Sequence, residues 1–243
     1  GVNWLGGPEG AWTPSAPVTP GDQAAAVVAV LDHLGIAEVV VVGASYGGMV
    51  ALALASLHAH RVRRTVVLCA AHRSHPMATA VRSVQRGILK LAAGTAREAE
   101  AVALARALAM TTYRSAEEFD GRFAWAEEAD APGHDPRFPV EGYLASRGAS
   151  FARRFSAQAF LRLSESIDLH GVDPANVTAP TTLVSVDTDV LAPPWLVEEL
   201  ARSAPGVDEH IRLTSLYGHD GFLKESSAVA ALLADRVAEE VAP

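Results

Sequence analysis

The chain has 243 residues, an apolar fraction of 49%, a charged fraction of 20% and a formal net charge of −8. These are the values of a globular chain long enough to bury its own core, and the acidic balance excludes general affinity for nucleic-acid phosphates or anionic membranes. No run approaches the eighteen or so apolar residues of a membrane span, Gly1-Val2-Asn3-Trp4 does not read as a signal peptide, and the single cysteine excludes an internal disulfide, so a cytoplasmic protein is expected.

In chain order, Thr19-Pro20-Gly21-Asp22 marks a helix start: a capping threonine, proline at the first helical position and an acid in the first turn. This helix is expected to bury Ala24, Val27, Val28, Leu31 and Leu34 and to end at Gly35. Glu38-Val39-Val40-Val41-Val42 is apolar and β-branched without alternation, the pattern of a strand buried on both faces of a parallel sheet. Residues 49–55 read as helix, with strong formers and no breaker. A second buried strand is expected near residues 64–70, where Cys69 reads as a buried structural thiol. From about His72 to Asp173 the strand signal disappears. Residues 79–91, 97–112, 140–154 and 157–169 read as amphipathic helices, interrupted by the turn-rich stretch 130–136. Strand character resumes at 181–186 and 210–213. The alternation predicts an α/β fold with a mostly parallel sheet and right-handed crossovers. Residues 1–72 and 174–243 form its expected core, and 73–173 a helical lid insertion.

Between the first strand and its helix lies Gly43-Ala44-Ser45-Tyr46-Gly47-Gly48. Gly-x-Ser-x-Gly in strand–turn–helix context is a nucleophile elbow: the turn is tight, the flanking positions must be nearly free of side chain, and the serine Oγ is exposed at a helix N-terminus. There the free N–H groups, that of Tyr46 first, favour an oxyanion. The base and its orienting acid follow the nucleophile in the order acid, then histidine. Of nine histidines, His219 in the loop Leu216-Tyr217-Gly218-His219-Asp220 has the best context, just past the last strand. His33, His58 and His60 lie at helix ends, while His72 and His75 follow the second strand and are read as structural. The acid follows the strand at 181–186, where Asp187 and Asp189 compete. Asp189 lies further towards the strand's carboxyl edge and is preferred, with Asp187 read as a turn-former bonded to its own backbone. No metal-ligand spacing stands out.

These residues lie within a larger pattern: Asn3-x-Leu5-Gly6-Gly7, the elbow followed by Met49, Gln85-Arg86, Ala105-Arg106, Thr112-Tyr113-Arg114-Ser115, Arg122-Phe123, Tyr143-Leu144, Arg154-Phe155, Asp189-x-Leu191-x-Pro193 and Gly218-His219-Asp220-x-Phe222-Leu223. In this order the chain resembles the homoserine O-acyltransferases of the α/β-hydrolase superfamily. The resemblance implies an α/β-hydrolase fold in which Ser45 takes an acyl group from succinyl-CoA or acetyl-CoA, His219 is the general base oriented by Asp189, and the hydroxyl of L-homoserine then attacks the acyl-enzyme. It implies Arg106, Tyr113 and Asp220 as the residues that hold homoserine, a homodimer, a place in methionine biosynthesis, acyl-CoA as co-substrate, and neither cofactor nor metal. Physical chemistry agrees in part: seven residues are about two helical turns, so Arg106 and Tyr113 share a face, and a zwitterion asks for a cation and an anion. Arg86 and Arg114 are left between ligand contact and lid ion pairs, with ion pairs preferred.

The pattern also departs from the family. The chain starts at what corresponds to the family's fourth strand, so the first three strands, and the loop that supplies a second oxyanion donor, are expected to be absent. Ala192 stands where an aromatic is usual, and Ala71-His72-Arg73-Ser74-His75-Pro76 resembles a shorter subgroup associated with succinyl-CoA. Two other readings remain open at this stage: a serine esterase of the same fold, and a non-catalytic assembly module.

Overall fold

The computed structural model describes residues 17–123, 125 and 138–241. The Asn3–Gly7 motif and the turn-rich stretch 130–136 lie outside the described residues. Helix α1 (Pro20–Leu34) begins where the sequence signals it: Thr19 Oγ1 accepts from the Asp22 N–H at 3.1 Å, the Asp22 carboxylate accepts from the Thr19 N–H at 2.8 Å, and Gly35 closes the helix at φ +66°. Ala24 and Leu31 are buried, but Val27 and Leu34 are 37% and 61% exposed, a correction to the expected buried stripe. The helix packs chiefly against α2 (Tyr46–Leu57), which covers only part of that stripe.

Strands β1 (Val39–Ala44), β2 (Val62–Leu68), β3 (Thr181–Val186) and β4 (Val207–Leu213) form one four-stranded parallel sheet in the order β1-β2-β3-β4. Period-2 alternation sorts its side chains between two cores. Val67 and Leu183 pack with Leu52 of α2 and with Leu196, Val197 and Leu200 of α8 (Pro194–Ser203). Val66, Leu68 and Val184 face the other way, towards Val229, Leu232 and Leu233 of α10 (Ser226–Val241). Each such leucine or valine taken fully from water contributes about 1.5–3 kcal/mol. The strand β1 is less covered than its composition implies, and the expectation of burial on both faces is corrected. Val39 and Val41 join the α1/α2 side, whereas Val42, facing the α10 side, is 45% exposed because the α10 core is centred on β2, β3 and β4.

Between β2 and β3 the chain is helical: α3 (Pro76–Leu91), α4 (Glu98–Tyr113), α5 (Ala116–Arg122), α6 (Pro139–Ala152) and α7 (Ala157–Asp168). Helices α3, α4 and α7 share a separate apolar cluster of Leu89, Ala101, Val102, Ala105 and Phe160, against which Phe151 and Ala152 of α6 pack. The packing of α4 on α6 needs a bare backbone at Gly148, where a Cβ would lie 2.3 Å from the Ala103 carbonyl oxygen. Helix α5 carries no apolar period that the sequence reading could register; Ser115 starts it by accepting from the Glu118 N–H at 3.0 Å. Among the described residues no helix is long and apolar enough to cross a membrane.

Candidate active site

The elbow is built by crowding. Ser45 sits between β1 and α2 at φ +52°, ψ −121°, a conformation that a residue with a side chain adopts only when its surroundings enforce it. A Cβ at Gly43 would stand 2.2 Å from the Gly47 carbonyl oxygen, and one at Gly48 would stand 2.8 Å from the Ala70 Cβ, whereas a Cβ at Gly47 meets nothing within 4 Å. The motif's second bare position is therefore Gly48 rather than Gly47, a correction to the pattern as read from sequence. The Tyr46 N–H opens α2 as one of the four N–H groups without an intrahelical partner. Its phenol turns away to share a 2.7 Å hydrogen bond with the Ser166 hydroxyl on α7.

Ser45 Oγ–H donates to His219 Nε2 at 2.7 Å, and His219 Nδ1–H donates to Asp189 Oδ2 at 2.7 Å, one tautomer serving both bonds. His219 and Asp189 are 4% and 2% exposed. Asp189 Oδ1 accepts from the backbone N–H groups of Leu191 (2.8 Å) and Ala192 (3.0 Å), so the acid also shapes its own loop. Burial pushes the Asp189 pKa up, but the His219 charge and hydrogen bond and the two N–H groups outweigh it, and the carboxyl is held below its ordinary value. Burial likewise pushes His219 down, and the Asp189 charge and hydrogen bond, helped by the charge of Asp220, leave it above the ordinary imidazole value. Asp187 is elsewhere: its carboxylate takes Arg212 at 3.0 Å and the Thr214 hydroxyl at 3.0 Å, not its own backbone.

Two sequence motifs meet here as one contact. Gly218, at φ +58°, lies so close to the chain at residues 113–115 that a Cβ would be 2.9 Å from the Tyr113 carbonyl oxygen. Ser115 Oγ donates to the Leu216 carbonyl. Thr188 ties acid loop to base loop, its hydroxyl donating to the Ser215 carbonyl at 2.6 Å and accepting from the Gly218 N–H at 3.1 Å.

A cavity of about 140 Å³ opens over Ser45 and His219. Its walls include Met49, Cys69, Ala78, Val81, Arg82, Gln85, Arg106, Tyr113, Phe151 and Ala192. The Arg106 guanidinium lies 4.8 Å from the Tyr113 ring centre and 5.0 Å from that of Phe151, so the two α4 residues share a face as their spacing requires. Among the described residues no carboxylate pairs with Arg106. Arg82 and Arg86 share a single carboxylate, Asp168, each at 2.6 Å. Asp220 does not line this cavity. It pairs with Arg114 at 3.0 Å and lines a neighbouring one, which meets the first at Arg106 and Phe151. Arg86 and Arg114 are thus both ion-paired.

Cys69, at φ +52° and 1% exposed, was not read as part of the site from sequence, yet its thiol stands against Asp189 and lines the cavity. Burial, and then the Asp189 charge and hydrogen bond, push its pKa well above the ordinary thiol value. Cys69, Asp189 and His219 place their ligating atoms within 4.8 Å of one another. The donor set suits a metal poorly: both histidine nitrogens are already hydrogen-bonded, and the thiol is held protonated. His72 lies by Glu199 at 3.4 Å and His75 edge-on to Trp195, both away from the cavity walls. His170, which no local motif marks, is buried and donates from Nε2 to the Ala71 carbonyl at 2.8 Å; burial lowers its pKa to about 4.

The model of the α/β hydrolase fold family matches residues 11–225. The chain is 42% identical to a homoserine O-succinyltransferase of Xanthomonas campestris over 226 residues, covering 90% of this chain and 59% of that protein. It is 32% identical to a homoserine O-acetyltransferase of Thermobifida fusca over 276 residues, covering 98% of this chain and 72% of that protein. In backbone shape it matches the crystal structure of esterase E22 with a TM-score of 0.81 at 20% identity, over 90% of this chain and 66% of the other.

Proposed function

Because the chain belongs to the α/β-hydrolase fold family and, within it, to the homoserine O-acyltransferases, we propose that it carries the acyl-transfer site of a CoA-dependent homoserine O-acyltransferase. The chain spans 59% of the length of the Xanthomonas campestris relative, so the activity of the whole enzyme is part of this proposal. The observation that carries it is the continuous Ser45–His219–Asp189 hydrogen-bond chain under a cavity whose wall holds Arg106 without a carboxylate partner among the described residues.

In this reading, Ser45 Oγ attacks the thioester carbonyl while His219 Nε2 takes its proton. The tetrahedral oxyanion is met by the Tyr46 N–H, and collapse expels the CoA thiolate, which takes the proton back from His219. The hydroxyl of L-homoserine then gives its proton to His219 and attacks the acyl-serine, releasing O-acylhomoserine and restoring Ser45. Arg106, stacked on Tyr113, presents its guanidinium fork to the homoserine carboxylate. Asp220, beyond Arg106 and close enough for its charge to act on His219, takes the ammonium. The favoured donor is succinyl-CoA: Arg82 lines the cavity and shares its one carboxylate, Asp168, with Arg86, so a dicarboxylic acyl chain gains a partially neutralised cation as partner and an acetyl group does not. The product's place in methionine biosynthesis, a cytoplasmic setting and a homodimer belong to the same proposal.

Intact-mass measurement of the full chain after mixing with succinyl-CoA or acetyl-CoA, followed by L-homoserine, tests it. A Ser45-dependent adduct discharged by homoserine to its ester supports the transferase. Discharge by water at the same rate with and without homoserine identifies an esterase, and no adduct on the folded chain refutes a catalytic role for this chain alone.

A further inference from the structure

The cavity beside the catalytic one encloses about 420 Å³ and has an unusual charge for this protein. Six cations line it, Arg106, Arg114, Arg122, Arg147, Arg154 and Lys224, against two carboxylates, Glu118 and Asp220. The whole chain carries 28 acidic residues to 20 basic ones, so this basin runs against the overall balance. Its two carboxylates are already engaged: Glu118 by Arg114 at 3.5 Å and Arg122 at 3.3 Å, Asp220 by Arg114 at 3.0 Å. Among the described residues no carboxylate pairs with Arg147, Arg154 or Lys224.

The basin is floored by aromatic rings that hold the cations in place. Arg122 and Arg147 lie 4.3 and 5.4 Å from the Tyr143 ring centre, and Arg114 and Lys224 lie 5.7 and 5.9 Å from that of Tyr217. Cations scattered on a convex surface are ordinary. Cations converging from α4, α5, α6 and the segment after His219 onto one concavity focus their field there, and arginine forks match phosphate oxygens two at a time.

We propose that this basin is a phosphate-binding subsite, in which Arg122, Arg147, Arg154 and Lys224 take the phosphate groups of the acyl donor while its thioester lies in the catalytic cavity. The inference rests on the acyltransferase reading for the donor's identity. The catalytic cavity offers a polyanion little, since its arginines are Arg82, held by Asp168, and Arg106, on the wall shared with the basin, whereas the basin adjoins that cavity across the shared residues Arg106 and Phe151. A neutral arm passing this shared wall joins the two ligand ends.

The test compares two donors and one fragment on the wild-type chain and on the triple variant Arg147→Gln/Arg154→Gln/Lys224→Gln. Succinyl-CoA carries the phosphates, and the succinyl thioester of N-acetylcysteamine lacks them. For succinyl-CoA the triple variant raises KM by about thirtyfold or more with kcat retained, and the wild-type KM climbs with added salt. For the truncated thioester, which has already lost the contact, neither change is expected. Adenosine 3′,5′-bisphosphate, titrated by calorimetry, binds the wild type, competes with succinyl-CoA and loses its affinity in the variant. Equal losses on both donors, no change on either, or bisphosphate that binds without competing overturns the proposal, the last by making the basin an effector site. If no donor acylates wild-type Ser45, the acyltransferase reading falls, and bisphosphate binding that is unchanged by the triple substitution overturns the subsite separately.

Discussion

Replacing Asp189 by asparagine isolates the step on which the proposed mechanism depends. The side chain keeps its shape, but its two ends cannot be exchanged freely. Oδ1 accepts from the Leu191 and Ala192 N–H groups at 2.8 and 3.0 Å, which requires the amide oxygen there and turns the amide NH₂ towards His219 Nδ1. That NH₂ donates where the carboxylate accepted, so the histidine proton moves to Nε2, 2.7 Å from Ser45 Oγ. The base then offers the serine a proton and cannot remove one. Loss of orientation and of imidazolium stabilisation together costs about 10⁴-fold in turnover, ~5.5 kcal/mol of barrier. The pH profile shifts as well. The Asp189 charge holds His219 above the ordinary imidazole value against the pull of burial, so without it the acid limb of the acylation rate moves to lower pH. The assay is the pre-steady-state burst of p-nitrophenol from p-nitrophenyl acetate, which reads Ser45 acylation whatever the natural donor. Asp187→Asn is the control. It loses a partner, Arg212, whose side chain is 58% exposed, and such a pair is worth little, so its burst rate stays within about threefold of wild type. A burst from Asp189→Asn within tenfold of wild type, or an equal loss in both variants, refutes the reasoning.

Three further outcomes are expected. Gly43→Ala forces a Cβ to within 2.2 Å of the Gly47 carbonyl oxygen and should lower stability by about 3 kcal/mol or more, whereas Gly47→Ala, with open space and a helical position, should hold or gain up to ~0.8 kcal/mol; urea unfolding of both compares them. His170 titrates near 6.5 unfolded but at about 4 in the fold, so the unfolded chain binds the extra proton between those values. Its contribution is complete above about pH 6.5 and is lost as pH falls towards 4, up to about 3 kcal/mol, and His170→Gln should flatten the melting temperature over that window. Arg106→Leu should raise the KM for homoserine about a hundredfold, with Arg106→Lys intermediate, in steady-state kinetics with the donor saturating.

What the sequence made legible was local. The elbow could be read because strand, turn and helix follow one another within a few residues, and β3 and helices α3, α4, α6 and α7 because their patterns are contained within each. The preference for Asp189 over Asp187 used the same local ground, two residues further past the strand, and it is the Asp189 carboxylate that lies against His219. The features that escaped depend on distant neighbours. Gly48 is obligatory because of Ala70, just past the end of β2, Val27 and Leu34 are exposed because α1 has few partners, and Cys69 becomes part of the site only through the 120 residues of chain that later bring Asp189 against it. Asp220 was read with Arg106 and Tyr113 as one binding group; its ion pair with Arg114, which places the carboxylate in the adjoining basin, had no local signal. The basin itself gathers cations from four separate segments, each of which reads alone as an ordinary solvated helix face.

The site's geometry is held by the sheet more than by the triad's own hydrogen bonds. Each of the first three strands continues its ladder one residue beyond its end: Ser45 N–H donates to the Leu68 carbonyl at 2.8 Å, Cys69 N–H to Val184 at 2.8 Å, and Asp187 N–H to Leu213 at 3.0 Å. The loops carrying nucleophile, thiol and acid therefore leave the sheet as successive steps, each pinned to the strand beside it. Two of those steps, Ser45 and Cys69, take φ +52°, a conformation that costs of order 1–3 kcal/mol each. Backbone bonds that do not involve the reacting atoms offset that cost. Side chains of the triad can then be exchanged without releasing the backbone that positions them, which is why loss of activity without loss of fold is the outcome to expect from substitutions at Ser45 and Asp189.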